Sequence, residues 1–209
     1  MSNLRKTNIV AIVDYGMGNI ASVSNMIKKI GGESIFTKDK DVILNSNRII
    51  LPGVGSFDAG MDALKSSGLD TVLISAANNG SKILGICLGF QLLFDSSEEG
   101  KLPGLGLVKG KVKKFNNLTL RVPHMGWNTI EPLYDSTLFE KDKQNPTRFY
   151  FVHSYFAECE DLSDISASCS YGDTFTCAIE RKNILGVQFH PEKSHKFGMK
   201  LLQRYLYAD

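Results

Sequence analysis

The chain has 209 residues, of which 43% are apolar, and its 24 lysines and arginines nearly balance 22 aspartates and glutamates for a formal net charge of +2. This balance removes the electrostatic reason to expect nucleic acid or an acidic surface as a partner. No run approaches the about 18 consecutive apolar residues that a membrane span needs, and the four cysteines form no C-x-x-C pair. We therefore expect a cytoplasmic protein in a reducing compartment, with no disulfide, no metal and no membrane association.

The first half of the chain alternates strand and helix patterns. Short apolar, β-branched runs predict buried strands at residues 8–13, 33–37, 48–51 and 82–86. Between them, helical spacing of apolar residues predicts helices at 20–30, 57–66 and 69–78. This succession predicts an α/β fold with a mostly parallel central sheet flanked by helices.

The second half consists mainly of strand-like segments with short links. They are LGLVKGKVKKF, FYFVHSYF, SASCSY, FTCAI and ILGVQF. We expect them to add antiparallel strands, with a hairpin over residues 173–187 and a last helix from Ser194. No repeat, low-complexity run or linker interrupts the chain, so a single domain over residues 1–209 is predicted.

A cysteine lies between two glycines in the segment Gly85-Ile86-Cys87-Leu88-Gly89, which we call the elbow. The elbow follows a predicted strand and precedes a predicted helix at 90–95, the pattern of a nucleophile elbow with cysteine in place of serine. Glycines relieve clashes at such a turn, and the helix N-terminus favours a thiolate and offers N–H groups to an oxyanion. An isolated G-x-C-x-G is more often a buried structural cysteine, so the context must decide. Cys159, Cys169 and Cys177 lack this context and are interpreted as packing residues.

A general base for the thiol is predicted in the segment VQFHPEKS, where His190 follows an apolar strand pattern and Glu192 lies two residues further on. Pro191 restricts the backbone between them, so a carboxylate can hold the imidazole in one orientation. Alone, this segment is equally well a structural turn. Together with the elbow, Cys87, His190 and Glu192 form a predicted cysteine triad.

A third glycine-containing loop follows the predicted strand at 48–51, in the segment LPGVGSF. Gly53 and Gly55 allow the backbone to turn its N–H groups toward a ligand, beside the strand that carries Cys87. A plain strand-to-helix turn is the alternative interpretation of this loop.

The three motifs PGVG, GICLG and HPE, in this order and at these separations, resemble those of the class I, triad-type glutamine amidotransferase family. Four further segments resemble the glutaminase subunits of imidazole glycerol phosphate synthase within that family. They are DYGMGN (14–19), PHMGWN (123–128), FVHSY (151–155) and VQFHPEKS (187–194). The resemblance covers about residues 8 to 207.

The resemblance implies hydrolysis of L-glutamine to glutamate and ammonia without a cofactor. Cys87 would attack the amide carbon and form a thioester, His190 would transfer protons, and Glu192 would hold His190. The resemblance also implies an oxyanion hole from the N–H of Leu88 and one from the Gly53–Val54 stretch. The implied glutamine pocket is lined by Gly55, Gln91, Ser154 and Tyr155.

The resemblance further implies a heterodimer in which a (β/α)₈-barrel cyclase subunit receives the ammonia for histidine biosynthesis. The chain is too short to contain such a barrel itself, and a channel would keep ammonia unprotonated and away from water. The face that would meet the barrel comprises Asn19, His124, Met125, Trp127 and Lys193.

Three alternatives stay open at this point. Met17 and the segment SHKFGM (194–199) resemble a paralogous branch that supplies ammonia for amidination of a surface-polysaccharide sugar. A free-standing cysteine γ-glutamyl hydrolase would not need the DYGMGN and PHMGWN segments, and a non-catalytic scaffold would not need the triad.

The role of His153 is also open: it is either a core histidine or part of the site.

Overall fold

The computed structural model describes residues 9–18, 20–116, 121–142 and 144–207, so Asn8 of the first predicted strand and Asn19 of the predicted partner face lie outside the described residues. The strands are β1 (Ile9–Val13), β2 (Glu33–Thr37), β3 (Arg48–Leu51), β4 (Lys82–Ile86), β5 (Ser96–Ser97), β6 (Gly110–Lys114), β7 (His124–Pro132), β8 (Thr147–His153), β9 (Tyr155–Cys159), β10 (Ile165–Tyr171), β11 (Asp173–Arg181) and β12 (Ile184–Val187). The helices are α1 (Ile20–Lys29), α2 (Lys40–Leu44), α3 (Phe57–Ser67), α4 (Leu69–Asn78), α5 (Leu88–Gln91) and α6 (His195–Tyr207).

Five parallel strands form one half of the sheet, in the order β2-β1-β3-β4-β12. Alternate residues of β1 enter two apolar clusters on opposite faces: Val10 and Ile12 in one, Ala11 and Val13 in the other. This two-sided burial is why the inner strands have continuous apolar sequences. The predicted fold class is confirmed, and no helix in the described ranges is long and apolar enough to cross a membrane.

The carboxyl ends of β3, β4 and β12 meet at one edge of the parallel half. Leu51 pairs with Gly85, and Val187 pairs with Ile86. The PGVG loop begins directly after Leu51, Cys87 of the elbow directly follows Ile86, and the HPE segment begins three residues after Val187. Parallel pairing therefore brings three motifs from distant parts of the chain to the edge where open α/β sheets bind ligands.

The other half of the sheet is antiparallel, in the order β12-β11-β10-β7-β8, with β9 joining β11 to β6. The predicted hairpin is confirmed, because β11 and β12 pair antiparallel across a turn at Lys182. Strand β7 was not predicted. Only His124 and Ile130 of its nine residues are buried, so its sequence lacks the apolar alternation that identifies a strand.

Two helix predictions differ from the structure. The helix expected at 90–95 is instead the single turn α5, Leu88–Gln91. The chain turns away there because the carbonyls of Leu92 and Leu93 accept hydrogen bonds from Leu105, Leu107 and Val108 of a later loop. The second difference is α2, which was not predicted; it has five residues and begins directly after Asp39, whose carboxylate caps its first turn.

Candidate active site

The backbone at Cys87 is strained. Its φ of 55° and ψ of −108° are rare for any residue other than glycine. The Cys87 N–H donates to the Val187 carbonyl at 2.9 Å, which ties the elbow to β12. A Cβ on Gly89 would lie 1.8 Å from the Leu51 carbonyl oxygen, and one on Gly85 would lie 2.7 Å from that of Gly89. The steric reason predicted for the two glycines is therefore confirmed.

His190 and Glu192 form a buried pair at the end of β12. His190 Nδ1 lies 2.7 Å from Glu192 Oε1, with side chains 2% and 4% exposed. Because a carboxylate only accepts, Nδ1 carries the proton and Nε2 is the ring nitrogen left for another partner. The Ser194 hydroxyl donates to the His190 carbonyl and accepts from the Tyr150 N–H, so it braces this segment. Sequence reasoning assigned no role to Ser194.

The Cys87 thiol is the group that meets the free side of the His190 ring. Burial by itself lowers the pKa of His190, but interactions with Cys87 and Glu192 outweigh it and hold that pKa well above its usual range. Nε2 is nevertheless buried without a hydrogen bond of normal geometry. The contact with Cys87 is therefore a close approach rather than a hydrogen bond of normal geometry.

The loop Pro52–Gly55, which we call the oxyanion loop, presents a carbonyl to the elbow. The Leu88 N–H donates to the Gly53 carbonyl oxygen at 3.3 Å. In this arrangement the predicted oxyanion donor at Leu88 is occupied. The Tyr15 hydroxyl donates to the Pro52 carbonyl at 2.7 Å and supports the loop from the segment that follows β1, a contact that sequence reasoning missed.

A cavity of about 260 Å³ opens at Cys87. Its lining includes all four predicted pocket residues, Gly55, Gln91, Ser154 and Tyr155. Val54, Leu88, His153 and the unpredicted Glu99 also line it. A larger cavity of about 560 Å³ between β7 and β10 contains none of the predicted catalytic or pocket residues. The smaller cavity is therefore the candidate substrate site.

Gln91 has a defined amide orientation in this cavity. Its Nε2 donates to the Tyr155 carbonyl at 3.2 Å and to Gln188 Oε1 at 3.0 Å. A carbonyl oxygen can only accept, so the nitrogen must face Tyr155. Both amide hydrogens are then used, and Oε1 is the Gln91 atom that can accept a hydrogen bond from a ligand.

The predicted partner face is split by the structure. Met125 and Trp127 are 61% and 44% exposed, and Lys193 is exposed as well. The Trp127 ring stacks on His195, with ring centroids 5.8 Å apart. His124 is only 3% exposed, so its predicted place on the contact surface is wrong: alternation along β7 turns it inward.

Buried His124 hydrogen-bonds to His153, whose other ring nitrogen contacts the Tyr155 carbonyl. Burial lowers the pKa of His124 to about 4 and that of His153 to about 3. Both rings are therefore neutral at neutral pH. His153, which the sequence left undecided, lies in the wall of the cavity.

Comparison with known proteins adds independent information. Residues 11–208 match the family described as "Glutamine amidotransferase class-I". The chain is 48% identical to "Imidazole glycerol phosphate synthase subunit HisH 2" of Methanococcus maripaludis, over 95% of this chain and 98% of that protein. It is 45% identical to "Imidazole glycerol phosphate synthase subunit HisH" of Bdellovibrio bacteriovorus, over 94% and 98%. Its fold is similar to a solved glutamine amidotransferase, with a TM-score of 0.74 at 18% identity over 94% and 96% of the two chains.

Proposed function

Since the chain belongs to the class I glutamine amidotransferase family, we propose that it is the glutaminase subunit of imidazole glycerol phosphate synthase. The observation that carries the proposal is the convergence of Cys87, His190 and Glu192 at a cavity lined by Gln91. The substrate is L-glutamine, and the products are glutamate and ammonia.

Cys87 is the proposed nucleophile. His190 Nε2 takes the thiol proton, and the sulfur attacks the amide carbon to form a tetrahedral adduct. Collapse of the adduct breaks the C–N bond, His190 returns the proton to the leaving nitrogen, and ammonia departs from the thioester. A water molecule, deprotonated by His190, then hydrolyses the thioester to glutamate. Glu192 stabilises the imidazolium formed in both halves of the reaction, which its 2.7 Å contact with Nδ1 supports.

The oxyanion hole requires a change in the oxyanion loop. Rotation of the Gly53–Val54 peptide would withdraw the Gly53 carbonyl from the Leu88 N–H and present the Val54 N–H beside it. The two N–H groups would then stabilise the negative charge on the tetrahedral adduct. We infer that the loop as described is the resting state, and that binding of a partner and its ligand favours the rotated peptide.

Glutamine carries an α-ammonium group, and the cavity offers hydrogen-bond acceptors that could bind it. Gln91 and Glu99 both line the cavity; with Gln91 Nε2 bonded to Tyr155 and Gln188, its Oε1 is the atom left to accept, and Glu99 adds a carboxylate. Glu99 is anchored by the Phe57 N–H, which donates to its Oε2 at 2.8 Å. A hydrogen bond from an ammonium group to a carboxylate is among the stronger ones in proteins, so this wall suits an α-amino acid.

The proposed partner is the (β/α)₈-barrel cyclase subunit, with which the chain forms a cytoplasmic heterodimer. Residues 1–209 act as one glutaminase domain and pass ammonia to the barrel for imidazole ring closure in histidine biosynthesis. Exposed Met125, Trp127 and Lys193 provide an apolar and basic contact face. Aromatic residues are enriched in protein interfaces, which supports this assignment.

The test is a glutaminase assay of the full chain, alone and with a cyclase barrel and its acceptor ligand. We expect weak hydrolysis alone and strong stimulation by the loaded barrel. Full activity without the barrel would favour a free-standing γ-glutamyl hydrolase, and no activity in either case would contradict catalysis. Stimulation only by a barrel homologue from a polysaccharide gene cluster would assign the alternative acceptor, a surface-polysaccharide sugar.

Trp127→Ala is expected to weaken the affinity for the barrel at least about tenfold, because buried tryptophans are common hot spots of interfaces. The His190–Glu192 pair should be unaffected, since the Trp127 side chain makes no hydrogen bond to it. Titration calorimetry measures the affinity, and Tyr207→Ala is the control. Tyr207 is 50% exposed at the far end of α6 from His195. Equal affinities of the Trp127 variant and the unaltered chain would remove Trp127 from the interface.

A further inference from the structure

A one-way hydrogen-bond chain runs from strand β7 to the cavity. Asn128 Nδ2 lies 3.2 Å from His124 Nε2, and His124 Nδ1 lies 2.9 Å from His153 Nε2. His153 Nδ1 in turn lies 2.7 Å from the Tyr155 carbonyl oxygen. This series of hydrogen bonds thus involves all four ring nitrogens of the two buried histidines.

The groups at the two ends of this hydrogen-bond chain determine which atom donates in each hydrogen bond. The Tyr155 carbonyl can only accept, so His153 Nδ1 carries the proton, and Nε2 of the neutral ring must accept. His124 Nδ1 therefore donates, and its Nε2 accepts from Asn128. The Asn128 amide cannot reverse, because its nitrogen also donates to the Ser170 carbonyl and its oxygen accepts from the Thr129 N–H.

The two rings are held by aromatic packing. His124 stacks between Phe151 and Tyr171, with centroid distances of 4.8 and 4.0 Å. His153 packs against Phe115 and Phe175 at 5.3 and 5.2 Å. Buried polar groups in such surroundings are costly unless they are fully hydrogen-bonded, and here each ring nitrogen has a partner.

The hydrogen-bond chain ends at the Tyr155 carbonyl oxygen, which is one of the two acceptors that orient the Gln91 amide. The Tyr155 carbonyl accepts from His153 and from Gln91 Nε2, and the His153 contact closes the bend at Ser154 between β8 and β9. A shift of this carbonyl would remove one of the two hydrogen bonds that hold the Gln91 amide, the other being to Gln188. The position of Oε1 would then be less well defined.

We propose that His124 and His153 are positioning residues for the glutamine pocket: they hold the Tyr155 carbonyl, which turns the Gln91 amide so that Oε1 meets the substrate. The inference rests on the proposed glutaminase function. It assigns these histidines no proton transfer in the reaction, which separates their role from that of His190.

Kinetics of the full chain in complex with the loaded barrel test the proposal. His153→Phe keeps a ring in the aromatic cluster but removes both nitrogens, and we expect KM for glutamine to rise about tenfold with a smaller change in kcat. His153→Asn places an amide nitrogen at the δ position and should recover part of the loss. His124→Phe should raise KM about threefold, because it breaks the chain one step away from Tyr155.

Tyr171→Phe is the matched control. It keeps the ring stacked on His124 and removes only a hydroxyl that donates to the Arg121 carbonyl, so KM should stay unchanged. If His153→Phe folds and keeps the KM of the unaltered complex, the proposal is wrong. If instead the unaltered complex hydrolyses no glutamine, it is the proposed function that fails.

Nitrogen NMR of the unaltered chain gives a readout that does not depend on activity or on a variant folding. With only four histidines, selective ¹⁵N labelling resolves each ring. We expect His124 and His153 both to be neutral with the proton on Nδ1 at pH 7. A proton on Nε2 of either ring would contradict the proposed direction of the hydrogen bonds from Asn128 to Tyr155.

Discussion

Cys87→Ala is expected to lower glutamine-dependent synthesis by the proposed heterodimer at least about a thousandfold, because the reaction loses its proposed nucleophile. Synthesis fed with ammonium salts should continue at the rate of the unaltered complex, since the site on the proposed barrel partner is untouched. The measurement is product formation from glutamine and from ammonium, side by side. Equal loss with both nitrogen sources would mean that Cys87 has a structural role instead.

Cys169→Ala is the matched control for this prediction. Cys169 is also buried, at 2% exposure, but it lies on β10 away from the candidate substrate site. Its replacement removes a sulfur of the same kind without touching the elbow, so both activities should persist. A loss of glutamine-dependent activity in this variant would show that thiol removal acts through the fold.

Gly89→Ala is expected to destabilise the protein by about 3 kcal/mol or more, the second large effect that the structure predicts. The added Cβ would lie 1.8 Å from the Leu51 carbonyl oxygen and 2.7 Å from its carbonyl carbon. Both obstacles are backbone atoms at the end of β3, so neither can move away by a rotamer change. Urea unfolding followed by circular dichroism measures the loss in the free energy of unfolding.

Gly60→Ala in helix α3 gives the comparison. Its Cβ would meet the methyl groups of Leu92 and Leu88 at 3.1 and 3.2 Å, which side-chain rotation can relieve. Alanine also favours the helix by up to about 1 kcal/mol, so the net change should stay within about that amount. A Gly89 variant as stable as the Gly60 variant would contradict the steric account of the elbow.

Much of the fold followed from local patterns. The apolar runs at β1, β3 and β4 and the hairpin of β11 and β12 depend on neighbouring residues, and each prediction is confirmed. The elbow glycines were also predicted correctly, although Gly89 is required by the backbone of Leu51, which is distant in the chain. Strand β7 was missed because burial of two residues in nine leaves no alternation to detect. Helix α5 was misplaced because a loop from residues 105–108 ends it, a contact that spacing does not contain.

The candidate site divides in the same way. The elbow and the HPE segment were predicted as one site, and parallel pairing of β3, β4 and β12 is what brings the PGVG loop to them. The family resemblance placed His124 on the partner face with Met125 and Trp127, but its side chain points into the protein and is buried. Glu99, Tyr15 and Ser194 were missed because each acts through a contact with a distant segment.

By itself, the sequence determined the residue types of the site: a thiol on a glycine-flanked turn, an imidazole with a carboxylate two residues away, and an amide in the pocket. The first two are patterns of neighbouring residues, whereas the amide in the pocket was implied by the family resemblance. Only the tertiary structure decided that the Gly53 carbonyl occupies the Leu88 N–H and that two histidines hold Tyr155. Both depend on how segments distant in the chain pack together, and buried polar groups take whichever partners that packing brings within hydrogen-bond distance.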